Sequence, residues 1–257
     1  MRFVGVDLAW GDRKTTAAVV LEAKEGGGAR SAAFATALGT VDEIAGFIRE
    51  NVAGKDAFVG IDAPLIVPNQ TGSRLCDQEC TAKWRRYDAG ALPANKRQCG
   101  DPSRGGQLLQ QLEAEGFRHG YDTEPGRPDR VVLEVYPHPA SVALLGLDRI
   151  FKYKRSAIAV NQEGLAAYQA KLCESLDRLD PTVEMKDDLI GRLRRDPNQL
   201  RGVHFERQSD LVDALMCAVT SFHFWTWGSE KWEVLGKLEE GTILAPRPEA
   251  YGLAAHT

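Results

Sequence analysis

Four places along the chain put a carboxylate where an apolar residue would be expected. They are Asp7 in VGVDLAW, Asp62 in VGIDAPL, Glu134 in VVLEVYP, and the pair Asp210 and Asp213 in SDLVDALMCAV. A carboxylate inside a buried strand is costly unless a metal or a partner compensates it. Three such strands in one chain predict that the acids converge. Asp210 and Asp213 are three apart on a helix, so they share a face. Clustered carboxylates repel one another, and a divalent cation relieves that repulsion. Oxygen-only ligands suit a hard cation, Mg²⁺ or Mn²⁺. Two such ions about 3.5–4 Å apart would bracket a phosphate for an in-line displacement. The expectation is therefore a catalytic set of Asp7, Asp62, Glu134, Asp210 and Asp213. Metal would lie on Asp7, Asp62, Asp210 and Asp213. A plainer reading makes Asp7 a turn or cap residue, Asp210 a first-turn acid favoured by the helix dipole, and Glu134 the partner of a base such as Arg155.

Basic residues suggest what the acids would act on. Lys83, Arg85, Arg86, Lys96, Arg97 and Arg104 cluster between residues 83 and 104, with Trp84 and Tyr87 interleaved. Charge for phosphates and rings for bases are what a nucleic-acid strand requires. A second cluster, Arg149, Lys152, Lys154 and Arg155, follows the Glu134 strand, and a lysine there would hold a phosphate oxygen near the metals. The plain alternatives are a solvated loop and a basic helix end. Cys76, Cys80, Cys99 and His119 give only a weak zinc pattern, one C-x₃-C pair and one distant cysteine. His138 reads as a strand-end turn residue.

The elements that must position these groups follow from periodicity. Phe3–Leu8, Thr15–Glu22 and Ser31–Leu38 read as three antiparallel strands, the last two joined through Gly26-Gly27-Gly28. Thr40 caps a helix carrying Ile44, Phe47, Ile48 and Val52 at helical spacing and stopping at Gly54. Ala57–Ile61 and Arg130–Tyr136 are apolar on both faces, as buried parallel strands are. Residues 66–106 break the pattern and read as an insertion or lid with a short helix near Cys76–Arg86. Helices are expected at 107–116, 140–146, 162–179, 185–195 and Ser209–Trp227, with edge strands at Trp232–Leu235 and Thr242–Leu244. Nothing resembles an interdomain linker, which predicts one domain over residues 1–257.

Composition sets the outer limits. The 257 residues are 43% apolar and 26% charged, an ordinary globular balance, with a net charge of −4. That excludes a globally basic nucleic-acid binder but not a local basic face. No run of 18 apolar residues predicts a membrane span, and MRFVGVDLAW lacks the pattern of a signal peptide. Five cysteines, an odd number, read as free thiols in a reducing cytoplasm.

The ordered set of motifs is more specific than any one of them. GVDLAW precedes a Thr-containing strand, then come GIDAP, a Cys-Asp pair in a polar insertion, LEVYP, KYK, SDLVDALMCA and a final GTILAP. From Phe3 to about Pro246 this resembles the domain-of-unknown-function family 429, described as predicted nucleases with a ribonuclease H-like fold. The resemblance implies an α/β fold: a five-stranded mixed sheet, three antiparallel strands then parallel ones, flanked by helices. The wider superfamily includes junction resolvases, transposases and exonucleases. It places one acid on the first strand, one on the fourth and one or two on a late helix. Here these are Asp7, Asp62, Asp210 and Asp213, while Glu134 has no counterpart. The implied function is a divalent-metal-dependent nuclease acting on DNA or RNA. The alternatives are a phosphotransferase of the sugar-kinase and actin-like superfamily, for which the chain is short, and a non-catalytic nucleic-acid-binding module. A symmetric substrate would favour a homodimer.

Overall fold

A computed structural model describes residues 1–11 and 14–253. In chain order the elements are β1 (Arg2–Asp7), β2 (Thr16–Ala23), β3 (Ala29–Leu38), α1 (Val41–Val52), β4 (Ala57–Asp62), α2 (Leu75–Trp84), α3 (Lys96–Cys99), α4 (Arg104–Ala114), β5 (Arg118–His119) and β6 (Arg130–Glu134). Then follow α5 (Pro137–Leu145), α6 (Ile158–Ser175), β7 (Val183–Glu184), α7 (Asp187–Leu193), α8 (Val203–Trp227), β8 (Trp232–Lys237) and β9 (Gly241–Pro246).

The central sheet is mixed and runs β5-β6-β4-β1-β2-β3-β7. β2 is antiparallel to β1 and β3, whereas β4 is parallel to β1, and β6 to β4. The expected five strands are present. The two-residue strands β5 and β7 extend the edges to seven, too short to leave a periodic signal. The expected edge strands near the C-terminus are corrected: β8 and β9 form a separate antiparallel hairpin, touching the main sheet through a bridge from Val135 to Leu244. No helix among the described residues is long and apolar enough to cross a membrane.

Alternation along each strand builds three layers. Val4, Val6, Val59 and Ile61 face α1 and α4, meeting Ile44, Ile48, Leu108 and Leu112. Phe3 and Phe58 face the other way, into a core with Leu211, Leu215, Val219 and Phe222 of α8. Gly5 and Gly60 lie on this second face too, opposite one another in register. A Cβ at Gly5 would overlap the Ala214 carbonyl and the Ala218 nitrogen; one at Gly60 would overlap Ser221 Oγ and approach the Cys217 carbonyl at 3.0 Å. The paired glycines thus let the α8 backbone lie directly on the sheet. The next residues on this face are Asp7 and Asp62.

α1 begins as its sequence implies. Thr40 Oγ1 accepts from the Glu43 N–H and Glu43 Oε2 accepts from the Thr40 N–H. α8 is longer than periodicity suggests. It starts at Val203, so Asp210 lies two turns inside and the first-turn dipole reading of that acid fails.

Candidate active site

Parallel pairing of β1 and β4 sets Asp7 beside Asp62 at the carboxyl end of the sheet. Ligands gather at this end in open α/β sheets. α8 crosses the same face, and its i, i+3 spacing carries Asp210 and Asp213 there. Lys154, from the segment between α5 and α6, joins the two sets. Its Nζ lies 3.2 Å from Asp7 Oδ2, 3.1 Å from Asp210 Oδ1 and 2.8 Å from Asp213 Oδ2. The Tyr153 hydroxyl donates to Asp213 Oδ1 at 2.5 Å. Behind it, the His138 ring stacks on Tyr153 with centroids 6.0 Å apart.

The electrostatics follow from that crowding. Burial pushes the Asp62 carboxyl up to about 8, and the neighbouring Asp213 adds to the shift. Burial also raises Asp7 and Asp210, against the pull of Lys154. The negative charge of Asp210 raises Asp7 further, and Lys154 bridges the two carboxyls. For Lys154, burial opposes the charge. The surrounding carboxylates of Asp213, Asp7 and Asp210 outweigh it and hold the ammonium well above its usual value. Its side chain is still 37% exposed, so the cluster opens to solvent. Burial lowers His138 to about 4 and leaves it a neutral imidazole near neutral pH.

No group of three or more His, Cys, Asp or Glu among the described residues stands in metal-holding geometry. Lys154 gives the physical reason, since its ammonium sits at the point on which three of the aspartates converge. The donor set itself fits a hard cation. It consists of carboxylates only, and it already draws one positive charge to its centre.

Glu134 lies elsewhere in its chemistry. It is 3% exposed and forms a two-pronged ion pair with Arg74, Nη2 to Oε1 at 2.6 Å and Nη1 to Oε2 at 3.0 Å. Its Oε2 also accepts from the Leu65 N–H at 2.8 Å. Arg74 in turn binds Asp77. Glu134 is therefore a compensated buried acid that fixes the chain just beyond Asp62, and its partner is Arg74 in place of the expected Arg155. Arg74 escaped notice because its partner lies 60 residues away.

The basic cluster around residues 83–97 is largely committed within the fold. Trp84 is fully buried against Tyr87, which excludes it as a stacking surface. Lys83 pairs with Glu233 at 2.5 Å and Lys96 with Asp101 at 2.8 Å. The Arg86 guanidinium lies over the Tyr87 ring. Arg85, Arg97 and Lys152 are exposed. Of the residues expected to hold nucleic acid, Lys154 alone contacts the aspartates. Cys76, Cys80, Cys99, Cys173 and Cys217 are free thiols, and the weak zinc pattern gathers no ligand set among the described residues.

The motif order and the fold that carries it have a counterpart in one family. The chain belongs to the family described as Protein of unknown function (DUF429), whose model matches residues 5–230. No curated protein and no solved structure matches it.

Proposed function

We propose that the protein is a divalent-metal-dependent nuclease of the ribonuclease H-like type. The observation that carries this reading is the meeting of Asp7, Asp210 and Asp213 on one point, with Asp62 in register beside Asp7. The fold supports it. The five longer strands of the sheet run β3-β2-β1-β4-β6, antiparallel then parallel, with acids on the first and fourth and on the late helix α8.

In this reading Asp7, Asp62, Asp210 and Asp213 hold Mg²⁺ or Mn²⁺. A metal bound there would supply Lewis-acid stabilisation of charge on the phosphoryl oxygens and lower the pKa of a bound water. Tyr153 fixes the Asp213 carboxylate by donating to one oxygen, leaving the other to face the cluster. Lys154 is close enough to exchange its carboxylate partners for a phosphoryl oxygen, and its charge offsets the negative charge of the phosphate. The sheet edge and α8 are rigid elements, which suits a site that must keep its donors in place.

The test is cleavage of labelled single strands, duplexes, hybrids, RNA and four-way junctions with Mn²⁺ or Mg²⁺. Wild type is expected to cut at least one substrate, and Asp62→Asn to lose about 100-fold or more in rate, the scale of a lost charge-stabilising group. Equal cleavage by both proteins, or none by either, would refute the assignment.

A further inference from the structure

Trp10 is the only Phe, Tyr or Trp among the described residues that is exposed, at 38% of its surface. The other four tryptophans are placed differently. Trp84 and Trp232 are buried, and the half-buried Trp225 and Trp227 donate their indole N–H to the Arg127 and Asp180 carbonyls. Trp10 follows Asp7 by three residues, so its Cα lies within about 11 Å of that of Asp7.

The backbone on either side of it is clamped. Arg104, itself 5% exposed, donates through Nη1 to the Ala9 carbonyl at 3.2 Å and the Gly11 carbonyl at 3.1 Å. Its Nη2 donates to the Gly39 carbonyl. The Ala9 N–H donates to Thr16 Oγ1 at 3.2 Å. Farther along the same β1–β2 connection, Lys14 pairs with Glu206 on α8, one turn before Asp210. A buried guanidinium is thus committed to the two carbonyls that flank a solvent-exposed indole, three residues from Asp7 along the chain.

We propose that Trp10 is a stacking platform for a nucleobase next to the phosphate held at the aspartates. The substrate is then a strand whose bases are unpaired and accessible. This inference rests on the nuclease reading and narrows its substrate. Stacking of a base on an exposed indole is worth about 1–3 kcal/mol and is tolerant of which base lands there. The lid aromatics cannot take this part, because Trp84 and Tyr87 are buried.

The test measures binding of fluorescein-labelled 12-mers by anisotropy, in Ca²⁺ to suppress turnover. The probes are an ordinary single strand and an abasic deoxyribose-phosphate strand of equal length and charge. Trp10→Ala should weaken binding of the base-bearing strand about 10- to 100-fold and leave the abasic strand unchanged. Trp10→Phe should retain most of the affinity. Equal affinity of wild type and Trp10→Ala for the base-bearing strand would overturn the proposal, as would equal losses on both strands. Failure of wild type to bind either strand would overturn it together with the nucleic-acid reading. Binding that depends on Trp10 without cleavage in Mn²⁺ would support the stacking role and sink the nuclease chemistry alone.

Discussion

Lys154 is the residue on which the local electrostatics turn. It holds three aspartates together at one point, the point that the proposed function gives to a divalent ion. One unit charge removed at about 4 Å changes an interaction by roughly 1–4 kcal/mol. Lys154→Met should therefore tighten Mn²⁺ binding by roughly tenfold or more while slowing any cleavage, read by calorimetry and a rate assay on the same preparation. Unchanged or weaker Mn²⁺ binding would mean that the lysine does not compete for that point. Glu134 shows the limit of residue-scale reading. Its burial was legible from VVLEVYP, but its partner was not, because Arg74 reaches it only through the folded insertion. A buried acid in a strand signals compensation, and the sequence leaves open whether a metal or an arginine supplies it.

At the scale of elements, the shared VGVD and VGID frames have a packing cause as well as a chemical one. Gly5 and Gly60 make the seat for α8, and the acids two residues on inherit their alignment from it. Gly5→Ala should cost about 1–3 kcal/mol by overpacking, a fall of roughly 2–12 °C in Tm. It should also displace Asp7 from α8 and weaken Mn²⁺ binding. A variant as stable as wild type would contradict the close approach of helix and sheet. β1 to β4, β6 and α1 were legible because each buries a continuous run or a clear helical stripe. β5 and β7 were not, since two residues carry no period. The N-terminal two turns of α8 were hidden by polar and charged residues ahead of the apolar run. β8 and β9 were legible as strands but not as a hairpin. Their partners are Cys76, Cys80 and Trp84 of α2, a contact between distant segments.

For the molecule as a whole, burial of the acids, with their crowding added to it, makes stability depend on pH. Asp62 binds its proton at about 8 when folded, against an ordinary value of 3.8. Between about pH 4 and 8 the folded chain therefore holds a proton on Asp62 that the unfolded chain releases, and that contribution to stability falls as pH rises. Asp7 and Asp210 are raised too and act with the same sign. The buried histidines His119, His138 and His223, lowered to about 4, 4 and 3 from 6.5, act with the opposite sign below about pH 6.5, so the fall is read between about pH 6.5 and 8. The carboxyls that pairing or hydrogen bonding lowers, Glu22, Glu43, Asp122 and Glu184, act only as pH falls below their ordinary values. Thermal melts in EDTA should give a lower Tm at about pH 8 than at about pH 6.5, and Asp62→Asn should flatten the difference. A slope of the opposite sign over that range would show that the buried aspartates do not hold protons in the folded protein.

The most direct test of the site is titration of metal-free protein with Mn²⁺, following loss of the free-ion signal by electron paramagnetic resonance. Saturable binding is predicted for wild type and loss of it for Asp7→Asn and Asp213→Asn, each checked as folded by circular dichroism. Mn²⁺ that stays free in the presence of wild-type protein, or that binds equally to the folded variants, would contradict a metal site built from β1, β4 and α8.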